Sequence, residues 1–209
     1  MMRLVTVAHG TRNPAGNAVA VSITAAAGVR LGMPAVAAYV ELAEPLLSTV
    51  AASPVPSVVV PLLLSTGHHV RCDIGAGRAL GPDPLLAHAQ VSRLLAAGAQ
   101  PGQPVVMVAA GSQDPLALRD LHVATAHLAE AWGGPVRLAT LGGLGARPAD
   151  VLRPGDAVSP YLLAPGHFHD RCRDAAADHV VADVIGPHPS VVDLVVARAT
   201  AQLAALRLA

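Results

Sequence analysis

His9, Glu41 and His69 are the residues best suited to chemistry in this chain of 209. Neutral imidazole ligates a first-row divalent metal or accepts a proton near physiological pH, and a carboxylate balances the ion's charge or relays the proton. Two imidazoles and a carboxylate thus make a nitrogen/oxygen site, and the affinity order of divalent ions leaves open which metal it takes in a cell. Each of the three follows an apolar run. VTVA leads into His9, AVAAYV into Glu41, and PLLL at 61–64 leads through Ser65, Thr66, Gly67 and His68 to His69. Glu44 stands directly before Pro45 and suits a helix start better than Glu41 does. Arg12 and Arg71 lie in the same stretches and can grip a carboxylate through a bidentate fork. Asp73 suits a supporting hydrogen bond to an imidazole, or a plain loop cap.

Those positions need elements that bring them together. Residues 4–8, 35–40 and 57–64 read as strands, the last β-branched and then leucine-rich, as in a strand buried on both faces. Residues 18–31, 84–97, 116–131 and 191–208 read as helices, with Asn13-Pro14 as a turn or helix start and a further helix from Pro45 to before Ser53-Pro54. Alternating strands and helices predict an α/β fold with a mostly parallel sheet flanked by helices. In such sheets the carboxyl ends of the strands carry side chains into a ligand crevice, and all three candidates follow strand ends.

The pattern then restarts. VTVAHGTRNP at 5–14 matches VMVAAGSQDP at 106–115 in five of ten positions, and PLLLSTGH at 61–68 matches PYLLAPGH at 160–167 in five of eight. The offsets are 101 and 99, which indicates duplication of one α/β half. The Gly- and Pro-rich segment 98–104 divides an expected first lobe, 1–99, which holds the site, from a degenerate second lobe, 100–209. A cleft between two such lobes is the expected ligand site. The alignment puts Ala110 opposite His9, Gln113 opposite Arg12 and Phe168 opposite His69, so only the first copy keeps the chemistry. HFHD at 167–170 looks metal-like alone, but its histidines are two apart and Phe168 interrupts them. The other histidines, 88, 122, 127, 179 and 188, have no ligand spacing.

Composition narrows the alternatives. Hydrophobic residues make up 53% and aromatic residues 2%, so the core is Val, Leu and Ala, with little aromatic surface for stacking bases. Fourteen arginines balance fourteen acids, far from a nucleic-acid footprint. Two cysteines outside any CxxC point to a reducing, cytoplasmic setting, and no signal-like or membrane-spanning run is expected. No GxxxxGK[ST], GxGxxG or GxSxG occurs, which disfavours P-loop kinases, Rossmann dehydrogenases and serine hydrolases.

HGTR at 9–12, ELAEP at 41–45 and PLLLSTGHHVRCDI at 61–74 resemble the sirohydrochlorin chelatase family, the class II cobalt/iron chelatases, in its long two-repeat form. The family commonly shows a proline, a leucine-rich strand, then glycine, any residue, histidine, valine, two residues, aspartate and isoleucine. Here glycine replaces the usual proline after Asp73-Ile74, and His68 fills a position that is commonly large or aromatic. The resemblance implies a chelatase-like fold and insertion of a divalent metal into a tetrapyrrole with release of two protons, iron being placed just ahead of cobalt. It implies His9 and His69 as metal-binding and catalytic, with Glu41 assisting; Arg12, Ser65, Thr66, Gly67 and Arg71 are the expected substrate contacts. The metal is then a substrate, no cofactor is tightly bound, neither nucleic acid nor membrane is a partner, and a monomer can suffice. Two other readings stand beside it: a non-catalytic tetrapyrrole or metal carrier, and a metal-assisted hydrolase.

Overall fold

A computed structural model of the chain describes residues 2–66 and 78–208. In chain order the described elements are β1 (Arg3–Ala8), α1 (Pro14–Leu31), β2 (Ala35–Tyr39), α2 (Leu47–Ala51), β3 (Ser57–Pro61), α3 (Pro84–Ala96), β4 (Val105–Ala109), α4 (Pro115–Trp132), β5 (Val136–Thr140), α5 (Pro148–Val151), β6 (Ala157–Tyr161), α6 (His167–Ala175), β7 (Val180–Val181) and α7 (Pro189–Leu208). They form two compact units, Met1–Leu80 with Pro187–Ala209, and Gly81–Gly186. The expected α/β architecture is present in each: parallel strands flanked by helices.

The first unit holds a three-stranded sheet of order β2-β1-β3, with every pair parallel. Val5, Val7, Ala38 and Val50 form its compact core cluster. Helix α1 starts where Asn13 Oδ1 accepts the Ala15 N–H at 3.0 Å, with Pro14 at the first helical position where no N–H is needed. The helix α7 is apolar along most of its length and packs on α1 and β3. From α7, Gln202 Nε2 donates to Val59 O at 2.7 Å and Gln202 Oε1 accepts Val59 N–H at 3.3 Å, so one side-chain amide serves both backbone groups of Val59, which would otherwise need another strand.

The second unit repeats the plan with order β5-β4-β6-β7. Its core gathers Val106, Val108, Ala139, Val158 and Cys172. Helix α4 opens with Asp114 accepting the Leu116 N–H at 2.9 Å, the counterpart of Asn13 on α1. Here β7 supplies the strand that Gln202 replaces in the first unit. Register carries the duplication into three dimensions. Leu4 pairs with Ala35 and Val58, and Val105 pairs with Val136 and Ala157, so the strand partners shift by 101 and 99, as the sequence blocks do.

Packing does not divide the chain at residues 99 and 100. Helix α3 contacts α4 and β6, and its Gln90 Nε2 donates to Ser159 Oγ at 2.8 Å inside the second unit. Helix α7 belongs in turn with the first. The glycine- and proline-rich segment marks a bend between α3 and β4, not the edge of a packing unit.

Candidate functional site

In the first unit β1 lies between β2 and β3, so all three parallel strands deliver their following residues to one rim. The β1–β2 hydrogen bonding continues beyond the strands. Val40 N–H donates to Ala8 O and Glu41 N–H to His9 O, both at 3.0 Å. This extension sets the side chains side by side, with His9 Nε2 3.4 Å from Glu41 Oε1 and each about half exposed. Two donor atoms 3.4 Å apart can each stand ~2.1 Å from one ion with an angle of about 110° between them, close to tetrahedral.

The approach depends on Gly10. Its φ is 96°, and a β-carbon there would lie 1.8 Å from Glu41 O. Only glycine combines that backbone with that proximity. Asn17 braces the same loop from α1: its Oδ1 accepts Thr11 N–H at 3.1 Å and its Nδ2 donates to Thr11 O at 2.8 Å. Asn17 was not visible as part of the site in the sequence, where its only signal is an amide placed in the first turns of an otherwise small-residue helix.

Beyond Glu41 the chain makes a three-residue turn, with Ala43 N–H donating to Glu41 O at 2.9 Å. Its central residue, Leu42, has φ 65° and is the one non-glycine with positive φ among the described residues. Left-handed backbone costs a side-chain-bearing residue about 1–2 kcal/mol. Glu44 Oε2 accepts the Leu46 N–H at 2.9 Å just before α2, the helix-start role its place before Pro45 suggested.

The remaining candidates divide by location. Arg12 is exposed between His9 and α1, and Ser65 and Thr66 are half-buried after β3. Gly67, His69 and Arg71, together with His68, Cys72 and Asp73, lie outside the described residues. Among the described residues no group of three or more His, Cys, Asp and Glu side chains is placed to hold a metal.

The second unit has the same backbone frame without the donors. Leu141 N–H donates to Ala109 O at 2.9 Å, Gly111 has φ 85°, and a β-carbon on it would lie 2.0 Å from Gly142 O. Ala110 and Gly142 therefore occupy the places of His9 and Glu41. The loss at Gly142 was missed in the sequence because the GG pair reads simply as a turn. In its stead Arg147 ties the loop: Nη1 donates to Thr140 Oγ1 at 2.9 Å and Gly142 O at 3.2 Å, and Nη2 to Gly143 O at 2.6 Å. Phe168, the chain's single phenylalanine, is 41% exposed at the start of α6. Within HFHD, His169 is buried with Nε2 4.0 Å from Asp183 Oδ1, while His167 and Phe168 meet edge to face at 5.5 Å between ring centres. Burial pushes the Cys172 thiol up to about 11, which removes it as a thiolate donor near neutral pH.

The chain is similar to known proteins in part of its sequence and in its fold. The CbiX family model matches residues 3–77, a span that contains His9, Glu41 and His69. No curated protein matches the chain. Among solved structures, SirB from Bacillus subtilis with Fe3+ matches with a TM-score of 0.80 at 22% identity, covering 94% of this chain and 93% of that one. The sirohydrochlorin chelatase SirB from Bacillus subtilis subspecies spizizenii in complex with cobalt matches with a TM-score of 0.74 at 21% identity, over 95% and 94% of the two chains. CbiX, described as the terminal enzyme for biosynthesis of siroheme in denitrifying bacteria, matches with a TM-score of 0.70 at 15% identity, over 96% and 99%. Residues 3–77 thus match the CbiX family model, within a chain that has the chelatase-like α/β fold.

Proposed function

We propose that this chain is a sirohydrochlorin chelatase that inserts a divalent metal ion, Fe2+ ahead of Co2+, into the tetrapyrrole. The observation that carries the proposal is the His9–Glu41 pair, 3.4 Å apart at the carboxyl ends of adjacent parallel strands, inside the segment that matches CbiX. Insertion exchanges two pyrrolic protons for one divalent ion, so the protein must hold a partly dehydrated ion loosely and take up protons as it leaves. An imidazole beside a carboxylate suits both tasks. His9 Nε2 offers a lone pair to the ion or to a proton, and Glu41 offsets the positive charge gained in either case. The exposure of both side chains leaves the ion's other positions open, which a transfer site needs and a closed structural site lacks. His69 is assigned as the second imidazole, and Arg12, Ser65, Thr66, Gly67 and Arg71 as contacts to the macrocycle's peripheral carboxylates. The metal is substrate, no tightly bound cofactor is required, and the proposed setting is the cytoplasm.

The test uses purified protein at trace concentration, sirohydrochlorin, and Fe2+ or Co2+ in separate reactions, followed by macrocycle absorbance. Multiple turnovers are expected with the wild type, and the ratio of initial rates ranks the metals. His9→Ala and His69→Ala are each expected to lower kcat/KM about 100-fold or more, and Glu41→Gln about tenfold. Normal insertion by the His9→Ala, His69→Ala double variant would overturn the proposal. Stoichiometric binding without turnover would make the protein a carrier instead.

A further inference from the structure

The turn after Glu41 holds a side chain that the fold does not need. Leu42 sits at φ 65°, and its counterpart in the second unit, Gly143, lies at φ 62°. Where the donors are gone, the left-handed position carries glycine, the residue that adopts it without strain. Where they are kept, it carries leucine, and Leu42 remains 50% exposed. A half-exposed side chain recovers only part of its burial free energy, so the core does not account for leucine at this position. The loops also part company in their hydrogen bonds. In the second unit Leu144 N–H reaches Ser112 O at 2.8 Å, and a β-carbon on Gly143 would lie 2.2 Å from that same oxygen. In the first unit Ala43 N–H turns back to Glu41 O instead, and the loop admits a side chain at Leu42.

We propose that Leu42 is a positioning residue for the substrate, offering an apolar contact to the flat face of the macrocycle on the turn that bears Glu41. This rests on the chelatase reading above. Backbone strain persists at ligand sites when the side chain so held serves the ligand, and an aliphatic contact to a broad ring suits a chain with so few aromatic residues. The contact sets where the ring lies relative to the His9–Glu41 pair without taking part in proton or metal transfer.

The test compares the wild type with Leu42→Gly, which relieves the backbone, and Leu42→Asn, which tolerates left-handed backbone but is polar. Three quantities are read: thermal midpoint, affinity for metal-free sirohydrochlorin by absorbance titration, and the kcat and KM of insertion. Leu42→Gly is expected to keep or raise the midpoint, by about 2 °C. Both variants are expected to raise Kd and KM for the macrocycle about tenfold, with kcat within about twofold and affinity for Co2+ alone unchanged. Unchanged Kd and KM in both variants would overturn the inference while leaving the chelatase reading intact, as would a marked fall in the Leu42→Gly midpoint, which would make the leucine a packing residue. Wild-type protein that neither binds nor metallates the macrocycle would overturn both together.

Discussion

At Gly10 a single missing β-carbon determines whether His9 and Glu41 can meet. A methyl group there would stand 1.8 Å from Glu41 O, and the backbone at φ 96° resists any L side chain. Gly10→Ala is therefore expected to cost about 4 kcal/mol or more, the range of severe single substitutions, and to abolish Co2+ binding in a titration of whatever folds. Gly111→Ala meets the same obstacle at 2.0 Å from Gly142 O and should lower the denaturation midpoint comparably while the metal titration is kept. A Gly10→Ala protein with wild-type stability and metal affinity would show that the two strands do not need this approach. The sequence named His9 and Glu41, because residue type and strand-end position are both visible in one dimension. It could not reveal that Leu42 lies in the left-handed region, since ELAEP contains no glycine at that point and the turn's hand is decided by where Ala43 N–H finds its acceptor.

Among the elements, strands and helices were legible because their signals are local. The buried apolar runs predict β1, β2 and β3, and Asn13-Pro14 and Asp114-Pro115 mark the starts of α1 and α4 through a side-chain cap and a first-turn proline. What was not legible is which unit a helix joins. Helices α3 and α7 are both apolar enough to cover a sheet, and only tertiary contact assigns the first to β6 and the second to β3. Ion pairs behave differently at this scale according to burial. Arg137 Nη2 meets Asp156 Oδ1 at 2.5 Å, with the carboxylate side chain 3% exposed and also accepting Arg153 N–H at 2.7 Å. The α1–α7 pair Arg30–Asp193 is about half exposed at both partners. Asp156→Ala is thus expected to cost about 3 kcal/mol by urea denaturation, since it strands a partly buried guanidinium, and Asp193→Ala less than about 1 kcal/mol. Equal effects would mean that burial does not govern the difference.

For the molecule as a whole, duplication was the most informative reading of the sequence. Two short blocks at offsets of 101 and 99 anticipated the strand register of both sheets. The same comparison identified Ala110, Gln113 and Phe168 as losses, but the loss at Gly142 emerged only once Val40 N–H and Leu141 N–H could be followed along matching ladders. The second unit thus amounts to a control built into the chain, the same scaffold with its donors removed. Arg147 gives that removal a direction. Its guanidinium already draws on the carbonyl oxygens of Gly142 and Gly143, so a fixed positive charge sits beside the position equivalent to Glu41 and would repel a divalent ion there. Putting back the donors by Ala110→His and Gly142→Glu is therefore expected to yield no Co2+ site, measured in a His9→Ala, Glu41→Gln background, until Arg147→Ala is added. On that expectation the clamp acts as a ratchet: with Arg147 holding the loop's carbonyl oxygens, restoring a single donor yields no ion site until the arginine is replaced as well.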